Sequence, residues 1–208
     1  MINFLNKIGS WILNNYIKAI IFFLITMLTS GIYFYFDFLA QKKDKESGDL
    51  FQDFYTSYKS SDFNEEEYKD TLDKIFQIDS SSIYLVMLKS IYAVDLVENN
   101  DLQKALIELS NAKEILSNKN NNFNFLKEII DLRMVNILIS LGDTERAKIL
   151  LESTFTTYQA NKLILQGDIL AKDKNYTEAK QKYTEAMKLS VNDTQKNLIN
   201  LKISTLTD

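Results

Sequence analysis

The sequence predicts an all-α protein: one apolar membrane-spanning helix, then an array of stacked helix pairs. Three observations predict it. Residues 19–36 run for 18 positions without a charge. From residue 42 onward, apolar side chains recur every three or four positions, and strand-type alternation is rare. The breaks between these runs, at 98–101, 117–124, 141–144 and 173–176, are short and polar, as in antiparallel helix pairs. The chain has 208 residues, net charge −4, and no Cys, His or Pro. Disulfides, Cys- or His-ligated zinc, and Ser-His-Asp or Cys-His catalysis are therefore excluded. The mildly acidic balance does not suit a nucleic-acid binder. The absence of Pro accompanies a broad excess of Lys, Asn, Ile, Phe and Tyr, residues with AT-rich codons, so it adds little to the helix argument.

Residues 1–18 read as a short amphipathic segment, with Leu5, Ile8, Trp11 and Ile12 on one face. Residues 19–40 read as the transmembrane anchor. At ~1.5 Å per residue the uncharged run approaches the ~30 Å hydrocarbon thickness. Trp11 and Tyr16 stand before it, and Tyr33 and Tyr35 near its end, the interfacial placement of aromatic anchors. The run ends in large aromatic residues and Asp37, not in the small residues of a signal-peptide cleavage site, and without Cys no lipoprotein acylation is available. Lys7 and Lys18 on one side face Lys42, Lys43 and Lys45 on the other, so the basic residues do not fix orientation.

Residues 41–208 form the helical domain, long enough for one core. The span 42–76 carries Phe51, Phe54, Tyr55 and Tyr58, then Tyr68, Leu72, Ile75 and Phe76, a first helix pair. Three units follow. The last, residues 163–191, fits a tetratricopeptide unit: Leu163, Gly167 and Leu170 on its first helix, Ala179, Tyr183 and Ala186 on its second. The small Gly167 admits the paired helix, Ala179 fills the crossing, and Tyr183 wedges between repeats. An upstream unit has Gly142 at its turn and Ala147 at the small position. Another has Ala93, Leu96, Ala105, Leu109 and Ala112. The small positions Ala105, Ala147 and Ala179 lie 42 and 32 residues apart, so the tetratricopeptide-like solenoid is irregular. Asp193 and Thr194 start a final helix that ends near Leu206.

This organisation resembles the YfgM family, ancillary subunits of the SecYEG protein-export translocon of bacterial inner membranes. Ile130, Asp131, Leu132 and Arg133 open the middle helix and Gly142 and Asp143 close it. Gly167 and Asp168 lie in the last full repeat, and Leu201, Lys202, Ile203 and Leu206 end the chain. Against the family pattern, the segment before the span is poor in charge and the span is unusually aromatic. The resemblance implies a single-pass protein with its helical domain in the periplasm, partnered by SecYEG and a PpiD-type periplasmic chaperone. Its role would be to bind partners or newly exported chains. The alternative is a cytoplasm-facing adaptor of the same architecture for assembly of envelope complexes. No enzyme activity and no cofactor are expected.

Few residues invite a chemical reading. Glu65, Glu66 and Glu67 lack the spacing of a calcium loop and suit a helix N-terminus. Trp11 and Asp37 sit where the span meets the interface, Trp11 as an interfacial anchor and Asp37 as an interfacial acid or a contact with a partner span. Arg133 is one of only two arginines, with Arg146, in a lysine-rich chain. It is expected to use its planar fork on a carboxylate of a neighbouring helix. Ser81, Ser82 and Ser90 near Lys89 have no strained nucleophile turn around them. Tyr55, Tyr58, Tyr68, Tyr84 and Tyr92 are candidates for core packing or for a peptide groove.

Overall fold

The computed structural model describes residues 16–60, 63–117, 119, 121–152 and 155–206. Among these there is no strand. Residues 1–15 of the amphipathic segment, Trp11 among them, lie outside the described residues, and 16–18 belong to the first helix. The chain divides into two compact units, Met1–Asp49 and Leu50–Asp208.

In the first unit, helix α1 (Tyr16–Ser60) carries the uncharged run. It is long and apolar enough to cross a membrane. Phe22, Phe23, Leu28, Tyr33, Phe34 and Phe36 each expose more than 60% of their surface. The hydroxyls that interrupt the run are satisfied within the helix. Thr26 Oγ1 donates to the Phe22 and Phe23 carbonyls, both at 2.9 Å, and Thr29 Oγ1 to the Thr26 carbonyl at 3.0 Å. Such back-bonding removes most of the cost of a hydroxyl in an apolar setting.

The second unit holds the end of α1, then α2 (Glu65–Ile78), α3 (Ile83–Glu98), α4 (Leu102–Ser117), α5 (Asn124–Leu141), α6 (Thr144–Leu151), α7 (Gln159–Lys172), α8 (Tyr176–Leu189) and α9 (Asp193–Ser204). Asn64 caps α2, accepting from the Glu66 and Glu67 amides at 3.0 and 3.1 Å, and the three glutamates fill its first turn, where the helix dipole favours them. Asn192, one residue before the expected start, caps α9 by accepting from the Gln195 amide at 2.8 Å. The middle helix α5 begins at Asn124, so Ile130 to Arg133 lie inside it and do not open it. The reason is apolar continuity: Phe125, Leu126 and Ile129 extend the helical spacing back to a 3₁₀ turn at Asn121–Phe123.

Three pairs, α3/α4, α5/α6 and α7/α8, share one turn. A left-handed residue follows the first helix: Asn100 (φ 61°), Gly142 (φ 83°) and Lys174 (φ 62°). The next residue sends its amide five positions back, Asp101 to Leu96 (2.7 Å), Asp143 to Leu138 (2.9 Å) and Asn175 to Leu170 (2.8 Å). The same residue caps the second helix, accepting from the Lys104, Arg146 and Glu178 amides at 3.3, 3.2 and 3.4 Å. Four positions on stand Ala105, Ala147 and Ala179, all fully buried at the helix crossing. The pairs are thus equivalent, and the unequal spacing arises from helix length: α4 has 16 residues against 8 in α6, and α5 has 18 against 14 in α7.

Buried side chains form two clusters. The larger runs from Phe54 on α1 to Leu165 and Ile169 on α7. The smaller joins Ile164 to Ala179, Tyr183, Ala186 and Ile199. Helix α7 presents a face to each.

Candidate binding groove

The first helices of the pairs, with α1 and α9 at the ends, line one side of the array. Three hollows open there. One, about 480 Å³, lies among Phe51, Tyr55, Met87, Val94, Leu126 and Arg133. A second, about 290 Å³, shares Val94 and Arg133 with it and adds Val97, Asn136 and Ile137. A third, about 960 Å³, shares Asn136 and continues past Tyr158, Ile164 and Asp168 to Leu198 on α9. Shared walls make them one continuous groove. Its apolar side chains are open to solvent: Met87, Val94 and Val97 at one end, Leu189, Val191 and Leu198 at the other.

Aromatic packing and ion pairs hold the α1 end. Tyr68 and Tyr92 are buried, with ring centroids 4.4 Å apart, and Phe63 stacks on Tyr92 at 5.2 Å. The Tyr92 hydroxyl donates to Glu65 at 2.9 Å and accepts from Lys104. Lys69, Tyr92 and Lys104 together draw the Glu65 pKa down to about 2. Tyr68 donates to Glu108 at 3.4 Å, and Lys89 pairs with Glu108 at 3.0 Å, tying α2, α3 and α4. Tyr84 packs against Phe51 at 5.6 Å. Of the five tyrosines singled out in the sequence, Tyr55 and Tyr58 line the groove.

The far end is held through Asp168. The Tyr183 hydroxyl donates to it at 2.7 Å and Lys202 pairs with it at 2.6 Å, linking α7, α8 and α9. Burial and the Asp168 carboxylate push the Tyr183 phenol above its ordinary range. The Tyr183 ring lies so close over Gly167 that a Cβ there would sit 2.5 Å from Tyr183 Cε1. Ala112 and Ala186 are fully buried, while Gly142 is exposed in its turn.

Sequence reasoning missed Glu128. This buried α5 carboxylate accepts four hydrogen bonds from the segment before α7: Thr156 amide and hydroxyl at 2.8 Å each, Thr157 amide at 2.9 Å and Tyr158 amide at 3.0 Å. Burial pushes its pKa up, but those bonds outweigh burial and hold it below the ordinary value. The legible signal was an acidic residue in register with the buried Leu132 and Val135 on one helix face. Asp131 is a second such residue. It pairs with Lys113 at 2.5 Å, and burial nonetheless leaves its pKa raised.

Arg133 does not meet the carboxylate expected of it. Its guanidinium donates to the Ser90 carbonyl at 3.5 Å, and it forms no ion pair among the described residues. The α5 carboxylates nearest in sequence are engaged on other faces, while Arg133 points into the groove. Asp37 accepts from Gln41 at 2.8 Å on the exposed face of α1. Ser82 caps α3, the Ser90 hydroxyl donates to the Val86 carbonyl at 2.7 Å, the Ser81 hydroxyl donates to Asp79 at 2.8 Å and accepts from Lys119 at 3.4 Å, and Lys89 is held by Glu108, so none of the three serines pairs with Lys89. No group of three or more Asp, Glu, His or Cys suited to a metal ion occurs among the described residues.

Repeated helix pairs with one turn geometry and a continuous inner groove define a helical-repeat interaction scaffold. The family model of the tetratricopeptide repeat-like domain matches residues 10–208, and the chain belongs to that family. It is similar to the ancillary SecYEG translocon subunit of Buchnera aphidicola subsp. Acyrthosiphon pisum (strain APS), 26% identical over 133 residues. That match covers 63% of this chain and 66% of the relative, just under two thirds of the relative's length. The resemblance to ancillary translocon subunits is borne out by it. No solved structure matches the chain.

Proposed function

We propose that this protein is a non-enzymatic interaction subunit, anchored in the bacterial inner membrane and associated with the SecYEG translocon. Residues 1–18 lie at the membrane surface, 19–40 cross it, and 41–208 hold the partner-binding domain. The domain faces the periplasm, where it binds a PpiD-type chaperone or newly exported chains. The observation that carries this reading is the continuous groove with Met87, Val94, Val97 and Leu198 exposed along it. A groove meant for charge-based docking alone would not leave that apolar surface open. The uncovered apolar run of α1 supports the anchor, and the similarity to an ancillary SecYEG translocon subunit supports the partner. Tethering keeps the groove near the exit of emerging chains, so weak binding suffices.

Topology is the test. The chain has no Cys, so Glu114→Cys on the exposed side of α4 supplies a single thiol. A membrane-impermeant maleimide should label it in cells whose outer membrane alone has been permeabilised, and SecYEG should copurify in mild detergent. Labelling only after inner-membrane lysis would overturn the periplasmic reading in favour of a cytoplasm-facing assembly adaptor.

A further inference from the structure

The α1 end of the groove is built around the Arg133 guanidinium. Arg133 stands between the 480 Å³ and 290 Å³ hollows and belongs to the wall of both. Its only hydrogen bond among the described residues is the 3.5 Å contact with the Ser90 carbonyl. The carboxylates on its own helix are spent elsewhere: Asp131 on Lys113, Glu128 on the segment before α7. Glu98 lines the second hollow but makes no ion pair with Arg133. A second cation stands at the same end, with Lys59 Nζ 4.6 Å from the centroid of the Tyr55 ring. Arginine is used here in a chain with one other arginine and many lysines. A planar guanidinium matches a carboxylate through two parallel hydrogen bonds, which an ammonium does not.

Resting on the reading of the groove as the binding face, we infer that its α1 end docks a polypeptide segment carrying a carboxylate between bulky apolar side chains. Arg133 binds the carboxylate. The apolar residues on either side enter the hollows walled by Phe51 and Met87 and by Val97 and Ile137. The apolar-acidic-apolar order of the ligand mirrors the apolar-cationic-apolar order of the walls. A free small anion would leave both hollows empty, and a purely apolar segment would leave the guanidinium covered without a partner.

The test uses the full chain in lipid nanodiscs and short fluorescein-labelled peptides with Phe and Leu flanking a central Glu, Gln or Lys. Fluorescence anisotropy should show the Glu peptide binding roughly tenfold tighter than the Gln peptide at low salt, the size of one charge-assisted contact. Arg133→Gln should abolish that preference, and Arg133→Glu should transfer the preference to the Lys peptide. Val94→Asp should weaken all three. If Glu and Gln peptides bind wild type equally, or the preference survives Arg133→Gln, the carboxylate inference is overturned while the groove reading stands. If no peptide binds, or Val94→Asp changes nothing, the groove reading falls with it.

Discussion

A carboxylate taken out of water costs several kcal/mol unless its lone pairs are met. Glu128 meets that cost with three successive backbone amides and a hydroxyl, so it works as the clasp between α5 and the entry to α7. Its folded-state pKa lies below the ordinary 4.5, so the clasp contributes its full stability above about pH 4.5 and loses it as pH falls through the lower folded value. Asp131 has the opposite sign. Its pKa is raised from 3.8, so folded protein binds that proton more readily and stability falls as pH rises through this window. Glu128→Gln should therefore cost about 2 kcal/mol at neutral pH, because an amide nitrogen then faces backbone donors. Denaturant melts from pH 7 to 3 should show the variant losing less on acidification than wild type; parallel curves would refute the clasp. At Gly167 the decisive quantity is the 2.5 Å approach to Tyr183. Alanine gains about 1 kcal/mol of helix propensity, yet overlap with a buried ring costs about 1–3 kcal/mol. The Asp168 hydrogen bond prevents the ring from retreating. A net loss of about 1 kcal/mol is expected for Gly167→Ala. The register-equivalent positions in the first pair are Ala93 and Leu109. Adding Tyr183→Leu should therefore make Gly167→Ala better tolerated than it is beside Tyr183, and a double-mutant cycle reads the difference.

At the scale of the element, the shared turn explains what was legible and what was not. The alanines at 105, 147 and 179 stood out because a helix crossing accepts only a small side chain, and that requirement acts on residue type directly. The left-handed residue before each second helix was legible only as Gly142, since Asn100 and Lys174 carry no glycine signature. Glu128 escaped notice because its partners are backbone amides about thirty positions away, and backbone leaves no trace in residue type. Arg133 was noticed, but its direction was misread: helical period places it on the groove face, whereas Asp131, two positions back, turns inward to Lys113. The turns predict opposite responses to one backbone property. Gly142→Ala places a Cβ at φ 83° and should cost about 1 kcal/mol. Lys174→Gly relieves the same strain at φ 62° and should gain up to about 1 kcal/mol. Melting temperatures shifting in those two directions would support the common turn, and a loss in Lys174→Gly would count against it.

For the helical unit as a whole, the two-cluster core sets the order in which the structure comes apart. Stability in a helical array is a sum of pair and interface contributions, so a thinly attached end opens first. Helix α9 packs on α8, and both reach the rest through α7, whose Leu165 and Ile169 join the larger cluster while Ile164 joins the smaller. Across that seam Asp168 carries the polar link to Tyr183 and Lys202. Native-state hydrogen exchange should therefore find the amides of α8 and α9 opening at a lower free energy than those of α3, α4 and α5. Lys202→Met should lower the opening free energy of α9 further and leave α3 to α5 unchanged, because no contact of Lys202 reaches the larger cluster among the described residues. The apolar stem is retained, so the loss reports the charge pair and not the packing. Equal opening free energies from α3 to α9 would mean that α7 couples the clusters into one cooperative unit. In that case the Leu198 end of the groove would be as rigid as the Arg133 end. A difference would make the Leu198 end the adaptable part of the binding face, able to adjust to partners of different bulk while the α1 end keeps its shape.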